Sequence, residues 1–287
     1  MDATQQTDNP QAALWNGRAG RAWVDAQESL DRLFKPFEEL LVETVRTEGG
    51  QRVLDVGCGT GSTTLAVARL LGAKGHCTGA DISDPMIAAA RIRAAQEDTP
   101  ASFIRADVQT HAFEPASFDT IISRFGVMFF DNPVLAFSNL RRAATNDAAL
   151  RVIAWRSPAE NPFMTTAERA AAPLLPNMPA RQPGAPGQFA FADQHRVSSI
   201  LQESGWNEID IRPIDIDCAL PQSELLGYIT RLGPVGLMLQ DVDEQTRAQV
   251  TEVVRAAFEP YVHGAEVRLT AACWMVCARA PKETGSA

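Results

Sequence analysis

The 287-residue chain lacks the features that mark zinc-binding, disulfide-rich and membrane proteins. Its five cysteines form no CxxC pair and no matched cluster with the four histidines, which argues against a structural metal site. No apolar run approaches the length of a membrane-spanning helix, and the polar start MDATQQTDNP does not resemble a secretory signal. We therefore expect a cytoplasmic protein with reduced thiols, no metal and no membrane partner.

Positive charge is also scarce, because 26 lysines and arginines stand against 35 aspartates and glutamates, for a formal net charge of −9. Binding to nucleic acid relies on a surplus of cations that neutralise phosphates, so a nucleic-acid partner is not expected. Hydrophobic residues make up 45% of the chain and charged residues 21%, which is typical of a folded globular protein. The sequence contains no internal repeat or low-complexity tract, and it does not indicate an oligomeric state.

The most informative stretch that is present is RVLDVGCGTG, residues 52–61. A short apolar run is followed by glycines at alternate positions, Gly57, Gly59 and Gly61, and then by an apolar pattern with helical spacing. This order predicts a buried strand, a turn free of Cβ atoms, and a helix N-terminus. Glycine lets a ligand approach the backbone closely, and a helix N-terminus favours an anionic group. A cofactor with an anionic end is the first hypothesis, and a tight turn without a ligand is the simpler alternative.

Strands and helices alternate along most of the chain, which predicts an α/β fold, a doubly wound Rossmann-like seven-stranded mostly parallel sheet with helical cap insertions. Polar residues stand at the carboxyl ends of the first four predicted strands, namely Asp55, Asp81, Asp107 and Ser123-Arg124. Such sheets bind ligands outside these ends, so we expect a binding crevice there, although each residue alone would also suit a helix cap or a loop.

The fifth strand is predicted at residues 149–156 and the sixth at residues 208–217. Two stretches interrupt the alternation, and the first holds seven of the eighteen prolines between residues 157 and 193, with one predicted helix near residues 165–175. Apolar residues at helical spacing precede the first strand, and Pro36 predicts two helices or a kink there. In that segment Trp15 and Trp23 either cap the core or lay aromatic surface over a bound cofactor. The predicted division is a disordered leader (1–10), an N-terminal helical lid (11–50), a cofactor-binding core (51–156), a first cap insertion (157–195), a core helix and strand (196–221), a second cap insertion (222–262), and a last core strand with a tail (263–287).

The segments VLDVGCGTG, GADISDPM, ADV and FDTIISRFGVMFF together resemble the motifs of class I S-adenosylmethionine-dependent methyltransferases, in the broad group that includes ubiquinone/menaquinone and small-molecule methyltransferases. The resemblance covers roughly Trp15 to Arg279. It departs from many relatives before the fifth strand, where Thr145-Asn146-Asp147 replaces a Pro-Gly-Gly turn. The resemblance implies S-adenosylmethionine as the cofactor and methyl transfer as the reaction. It does not identify the acceptor, because the family shares cofactor motifs rather than substrates.

The resemblance also implies a role for each motif. The glycine turn would hold the methionine end of the cofactor, with Asp55 beside it. Asp81 would accept hydrogen bonds from the ribose hydroxyls, and Asp107 would accept one from the adenine amino group. The implied cofactor-binding residues, with both lid tryptophans included, are Trp15, Trp23, Asp55, Gly57, Cys58, Gly59, Gly61, Asp81, Ile82, Met86, Asp107, Val108, Ser123 and Arg124.

The acceptor is expected to be a small, largely apolar molecule, for example an aromatic or polyketide-like metabolite, because the second cap insertion is rich in apolar residues. Phe125 and Phe129 would lead towards it, and Tyr228 and Leu232 would contact it, unless the apolar residues only bury the cap against the sheet. The sequence does not indicate whether an O, N, S or C atom accepts the methyl group. Transfer would be an in-line displacement that depends mainly on proximity and orientation.

The sequence identifies no catalytic residue, and the candidates are Arg124 and the two histidines that flank the insertions, His195 and His263. Each histidine would serve as a proton acceptor or be an ordinary loop residue. Arg124 and Arg231 would hold an acidic substrate or form ordinary salt bridges. Two other functions remain open at this point. A non-catalytic cofactor-binding regulator would keep the same motifs. An NAD-dependent oxidoreductase would need G-x-G-x-x-G/A, whereas the sixth position here is Ser62 and no second glycine turn is evident.

Overall fold

The structure is a computed structural model that describes residues 9–182 and 184–282. Most of the predicted leader (1–10) lies outside these described residues, and its last residue, Pro10, begins the first helix. The described helices are α1 Pro10–Asn16, α2 Arg18–Asp25, α3 Gln27–Leu33, α4 Lys35–Glu48, α5 Ser62–Leu71, α6 Asp84–Glu97, α7 Pro133–Ala143, α8 Pro162–Ala171, α9 Gln194–Glu203, α10 Leu225–Arg231, α11 Gly233–Met238 and α12 Glu244–Ala257. The described strands are β1 Arg52–Val56, β2 His76–Asp81, β3 Ala101–Arg105, β4 Phe118–Arg124, β5 Ala144–Trp155, β6 Asn207–Pro221, β7 Val262–His263 and β8 Glu266–Arg279.

Seven of the strands form one continuous sheet in the order β3-β2-β1-β4-β5-β8-β6. The first five are parallel, whereas β8 runs antiparallel to both β5 and β6. The predicted seven-stranded, mostly parallel sheet is confirmed, and the two-residue strand β7 adds a short pairing beside β8. Because β1 lies between β2 and β4, the order of the strands reverses there. The ligand crevice of such a sheet lies beyond the carboxyl ends of the strands at this reversal.

The centre of the sheet is apolar because helices cover it. Val53 and Leu54 in β1 and Ile121 and Ile122 in β4 are fully buried. Helices α4, α5, α6 and α7 each pack against strands of the parallel part. A continuous apolar run, rather than an alternating one, is the pattern that a parallel strand buried on both faces requires.

The segment before β1 forms four short helices. The break after Leu33 agrees with the prediction from Pro36, which lies in the first turn of α4, where its missing N–H removes no helical hydrogen bond. Gly17 makes a further break between α1 and α2 with a backbone (φ −90°, ψ −144°) that is far from helical. A Cβ atom at Gly17 would lie 2.8 Å from the carbonyl oxygen of Ala13, so the turn is closed tightly enough to require glycine.

Several element boundaries differ from the sequence prediction. The helix expected near residues 165–175 is α8, which begins earlier because Pro162 occupies its first position. Strand β5 starts five residues before the predicted 149, since Ala144 already pairs with Phe118 ahead of an irregularity in the ladder. Strand β6 continues to Pro221, which pairs with Glu266 on β8.

The two insertions pack on one another and on the N-terminal helices. Helix α8 from the first insertion lies against α12 and α11 from the second, and α11 also contacts α2. The two insertions and the N-terminal helices therefore form a continuous helical layer. Within the residues that the structure describes, no helix is long and apolar enough to cross a membrane.

Candidate functional site

A cavity of about 420 Å³ lies at the carboxyl edge of the parallel strands. Its walls come from the N-terminal helices, the loops after the strands and both insertions. The predicted site residues that line it are Trp15, Trp23, Asp55, Gly57, Cys58, Gly59, Asp81, Ile82, Met86, Asp107, Val108, Arg124, Phe125, Phe129, Tyr228 and Leu232. Among the predicted residues, Gly61, Ser123, His195 and His263 are absent from its walls.

The three glycines after β1 all have positive φ angles, from 55° to 88°, and serve different purposes. A Cβ atom at Gly57 would lie 2.5 Å from the Cα of Gly126, so this position packs one backbone directly on another. A Cβ at Gly61 would lie 2.8 Å from the ring of Phe103. Gly57 and Gly59 both border the cavity, but only at Gly59 would an added Cβ atom find room, 3.7 Å from Trp23 and 3.8 Å from Met86. The turn therefore leaves open space for a ligand at Gly59, whereas Gly57 and Gly61 are needed for close packing.

Asp81, at the end of β2, is connected directly to the glycine turn. Its carboxylate accepts hydrogen bonds from the backbone N–H of Gly59 at 2.8 Å and of Ser83 at 2.9 Å. Burial raises the pKa of Asp81, and these backbone hydrogen bonds oppose the shift. Each carboxylate oxygen has two acceptor positions, so Asp81 can still accept hydrogen bonds from a ligand in the cavity.

Asp55, at the end of β1, is almost completely buried and accepts a hydrogen bond from the Thr64 hydroxyl at 2.6 Å. Burial raises the pKa of this carboxyl group to about 6, although the Thr64 hydrogen bond and the nearby Arg124 lower it. The side chain thus braces β1 against the start of α5 while it borders the cavity.

Asp107 follows β3 by two residues and is held from two sides. Its carboxylate accepts hydrogen bonds from the side chain of Asn9 at 2.9 Å and from the backbone N–H of Gln109 at 3.0 Å. Asn9 also caps α1, so this contact fixes the start of the N-terminal helices above the cavity. Asn9 was not identified from the sequence, because only the fold brings it next to a strand end 98 residues away.

The N-terminal helices lie across the carboxyl ends of β2 and β3. The carbonyl oxygen of Trp15 accepts a hydrogen bond from Ser83 at 2.7 Å, and the Asn16 side chain donates one to the carbonyl oxygen of Ile82 at 3.1 Å. The Trp15 ring meets Trp23 and Phe129 edge-on, at 6.1 and 5.1 Å between ring centroids. Both tryptophans border the cavity, and Trp23 also packs against the hydrophobic core.

Ser123 lies behind the cavity wall instead of in it. It is fully buried, and its hydroxyl donates to the carbonyl oxygen of Val56 at 2.7 Å and accepts from the backbone N–H of Gly126 at 3.2 Å. The expectation that Ser123 lines the methyl-donor pocket is therefore not met. Its hydroxyl instead joins the end of β1 to the turn after β4.

Phe125 adopts a positive φ of 65°, which is rare for a bulky side chain and costs conformational energy. Its ring stacks on Trp155 at 4.4 Å between centroids with 11° between the planes. Its backbone N–H also donates to the carbonyl oxygen of Ile153 at 3.0 Å. These contacts hold a strained residue in place, so that the Phe125 ring forms part of an aromatic wall in the cavity.

Arg124 brings a positive charge into the cavity wall. Its guanidinium donates to the carbonyl oxygen of Phe34 at 3.3 Å and lies 5.9 Å from the centroid of the Phe34 ring. Burial lowers the pKa of Arg124, and the surrounding carboxylates, first Asp31 and then Glu38, oppose that shift. Among the residues that the structure describes, no carboxylate lies within salt-bridge distance of Arg124, so the ordinary salt bridge considered above is absent.

The histidines do not serve this site. His195 lies in the first turn of α9 and His263 in β7, and both are exposed. Neither borders the cavity, so we do not retain them as proton acceptors. Their positions depend on how the insertions pack, which residue type and spacing do not determine.

Thr63, in the first turn of α5, is a site residue that the sequence analysis missed. It is 2% exposed, its hydroxyl has no hydrogen-bond partner within the described part of the chain, and it borders the cavity beside the glycine turn. A buried hydroxyl without a partner costs free energy unless a ligand or water satisfies it. Thr63 could have been identified from the sequence, because the first turn of a helix that follows a glycine-rich turn presents hydrogen-bond donors to anions.

Residues 53–147 match the family described as a methyltransferase domain. The chain is 30% identical over 133 residues to the aklanonic acid methyltransferase DauC of Streptomyces sp. strain C5, covering 45% of this chain and 60% of that one. It is 26% identical over 187 residues to the demethylmenaquinone methyltransferase of Renibacterium salmoninarum, covering 62% and 76%. The phosphoethanolamine N-methyltransferase 2 of Haemonchus contortus, solved with S-adenosylhomocysteine and with S-adenosylmethionine, has a TM-score of 0.50 at 18% identity, covering 98% of this chain and 59% of that one.

Residues 53–147 therefore form a methyltransferase domain, and the predicted resemblance to class I S-adenosylmethionine-dependent methyltransferases is confirmed. The protein is a methyltransferase with S-adenosylmethionine as its cofactor, as predicted. The structural likeness concerns the fold alone, whereas the sequence match falls on the segment that carries the glycine turn and the strand-end aspartates. The cavity of this methyltransferase fits the cofactor, because Gly59 offers open backbone and Thr63 an unsatisfied hydroxyl beside it.

Proposed function

We propose that this methyltransferase transfers a methyl group to a small, largely apolar molecule bound beneath the helical cap. The observation that carries the proposal is the continuity of the cavity, which runs from the glycine turn to the cap residues Tyr228 and Leu232. Two relatives are named for methylation of small molecules, aklanonic acid and demethylmenaquinone, which supports the same class of acceptor here. In this proposal residues 11–50 are the lid, and 157–195 and 222–262 are the cap.

Within the cofactor half, we assign the methionine end to the turn from Gly57 to Gly59. Thr63 and Arg124 would bind its carboxylate, since both bring unsatisfied donors to the cavity wall there. Asp81 would accept hydrogen bonds from the ribose hydroxyls. The assignments rest on the positions of donors and acceptors around one cavity.

The adenine end belongs to the neighbouring strand ends. Asp107, with Val108 beside it, would accept a hydrogen bond from the adenine amino group, while Ile82 and Met86 would contact the ring. Trp15 and Trp23 would close the lid over the cofactor. This arrangement places the whole cofactor under α1 and α2.

S-adenosylmethionine supplies an activated methyl group, so the protein mainly has to align the acceptor and exclude water. Phe125 and Phe129 line the cavity and would lead towards the acceptor, and stacking on Trp155 holds the Phe125 ring in place. Within the described residues, no histidine borders the cavity, and burial raises the pKa of the Cys58 thiol far above neutrality. We therefore propose catalysis through proximity and orientation.

The decisive experiment measures binding of S-adenosylhomocysteine by calorimetry and its release during incubation with S-adenosylmethionine and a panel of small apolar metabolites. Asp81→Ala is expected to weaken cofactor binding strongly, because it removes the ribose acceptors. An unchanged affinity would contradict the assignment of the ribose site, and binding of NADH instead would favour an oxidoreductase. Cofactor binding without turnover on any metabolite would favour a non-catalytic regulator.

A further inference from the structure

Helix α10 presents two polar side chains to a cavity wall that is otherwise mostly apolar. Tyr228 and Arg231 are three residues apart, so they share one face of the helix, and both border the cavity. Their neighbours in the wall, Ile229, Leu232 and Val235, carry no polar side-chain atoms. The polar pair therefore stands out against the surface on which an apolar substrate would rest.

Tyr228 is half-buried in the cavity wall, and its hydroxyl makes no hydrogen bond within residues 9–182 and 184–282. Loss of solvent around the ring raises the pKa of Tyr228 to about 12, so the hydroxyl keeps its proton throughout the neutral range. The hydroxyl can therefore donate a hydrogen bond to a ligand oxygen in the cavity.

The charges around the substrate half leave a positive excess. Arg231 has no carboxylate within salt-bridge distance in the described chain, whereas Glu168 and Arg181 pair at 2.5 Å and neutralise one another. The other cavity carboxylates are the three strand-end aspartates of the cofactor half. This local excess is the reverse of the chain as a whole, whose net charge is −9.

We infer that the acceptor is a small apolar acid whose ionised carboxylate is bound by the Tyr228 hydroxyl and the Arg231 guanidinium. A phenol and a guanidinium side by side offer donors to both oxygens of a carboxylate, and hydrogen bonds to a charged group are stronger than those to a neutral one. The inference rests on the proposed function, because it names the substrate class for the same cavity. Arg231 also lies at the carboxyl end of α10, where the helix dipole favours a cation without any ligand, so the test must separate the two roles.

The test uses protein saturated with S-adenosylhomocysteine and two probes of the same shape, 2-naphthoate and the neutral 2-naphthamide, with binding measured by calorimetry. We expect wild-type protein to bind the naphthoate about tenfold more tightly, in line with the strength of charged hydrogen bonds. Tyr228→Phe and Arg231→Gln should each reduce naphthoate affinity by about threefold to tenfold. Both variants should leave naphthamide affinity within about twofold of wild type.

Arg255→Gln provides a matched control, because it removes the same charge from an exposed position on α12 that pairs with Glu252 and Glu259 and lies outside the cavity. This variant should leave both affinities unchanged. Equal affinity of wild type for the two probes, no binding of the naphthoate, or equal losses for both probes would overturn the inference. Failure of wild-type protein to bind S-adenosylhomocysteine would instead overturn the proposed function, on which the inference depends.

Discussion

At the scale of single residues, the proposed cofactor site has donors as well as acceptors, and we propose that Thr63 and Arg124 supply the donors for the methionine carboxylate. The aspartates are acceptors and suit the ribose and adenine, whereas the methionine carboxylate needs donors. Thr63 offers a buried hydroxyl with no partner among the described residues, and Arg124 a guanidinium with no carboxylate in salt-bridge range there. Thr63 and Arg124 thus offer hydrogen-bond donors where the aspartates offer acceptors.

Thr63→Val, which keeps the shape of the side chain, and Arg124→Gln should each weaken binding of S-adenosylhomocysteine by about tenfold, because each removes a hydrogen bond to a charged group. Binding of 5′-methylthioadenosine, which has the same nucleoside but no carboxylate, should stay within about twofold of wild type. Calorimetry with both ligands makes the measurement. A parallel loss for the two ligands would indicate general damage to the cavity instead of a lost carboxylate contact.

Asp55 gives the protein a predictable pH dependence. The pKa of Asp55 in the folded state, about 6, is above the ordinary aspartate value of 3.8, so the folded state binds the proton more tightly than the unfolded state does. The stability that this group contributes is therefore present below pH 4 and is lost as the pH rises through 6. The comparison is the unfolding free energy of Asp55→Asn minus that of wild type. This difference should be about 1 to 2 kcal/mol more favourable to the variant at pH 8 than at pH 5.

Urea unfolding of the ligand-free protein at the two pH values tests this prediction, and the difference between wild type and variant removes the contributions of other titrating groups. Asparagine retains an oxygen that can accept the Thr64 hydrogen bond. A variant whose change in unfolding free energy is the same at both pH values would show that Asp55 titrates normally.

The strand-end aspartates could be predicted from the sequence because the carboxyl ends of parallel strands meet at one edge of a sheet. The direction in which a side chain points at the end of a strand could not be predicted from the sequence. Ser123 and Arg124 are adjacent, yet Ser123 points into the brace between β1 and β4 while Arg124 reaches the cavity. His195 and His263 were misplaced for a different reason, since they flank insertions whose packing depends on contacts distant in sequence.

At the scale of elements, the seam between the lid and the cap is the natural route into the cavity. Arg18 at the start of α2 pairs with Asp241, just after α11, at 2.7 Å, and the surrounding surface shares Leu14 and Leu237 with the cavity. The ion pair is exposed at both ends, so it contributes little to the stability of the whole fold. Because the ion pair joins α2 to the segment after α11, it should oppose separation of the lid from the cap.

Arg18→Ala or Asp241→Ala should increase the dissociation rate of S-adenosylhomocysteine by up to about fivefold, the rate equivalent of a surface ion pair. The free energy of unfolding should change by less than about 1 kcal/mol. Stopped-flow measurements at low and high salt would show the difference from wild type shrinking as salt screens the pair. Arg46→Ala, which breaks an exposed pair within α4 away from the cavity, is the control. Dissociation rates equal to wild type in the seam variants would show that ligand does not leave by this route.

Element lengths were predictable only where local signals exist. Proline marks the starts of α4, α7 and α8, because Pro133 and Pro162 occupy the first helical position and Pro36 the second. For α8 this signal was not used, and the predicted start at residue 165 was too late. Strands β5 and β6 exceeded the prediction because their ends are set by pairing with β4 and β8, a non-local condition.

At the scale of the whole molecule, the front of the lid is attached at the proposed nucleoside site. Helix α1 is held over the sheet by hydrogen bonds of Asn9 with Asp107, Trp15 with Ser83 and Asn16 with Ile82, and α2 packs on α6 beside it. Helix α12 packs against α8 and α10 instead. Ligand binding should therefore stabilise the two regions unequally.

Hydrogen exchange can detect this inequality. When the concentration of S-adenosylhomocysteine is 100 times its dissociation constant, the ligand adds about 2.7 kcal/mol to the free energy of any opening that releases it. Opening of α1 and α2 should release it, so their amides should exchange up to about 100-fold more slowly when ligand is present, whereas local opening of α12 should be unaffected. Asp81→Ala should abolish the added protection at the same ligand concentration, because the ligand no longer binds. Equal slowing in α12 would mean that the lid does not open separately, and no slowing in α1 and α2 would mean that the ligand does not lie beneath them.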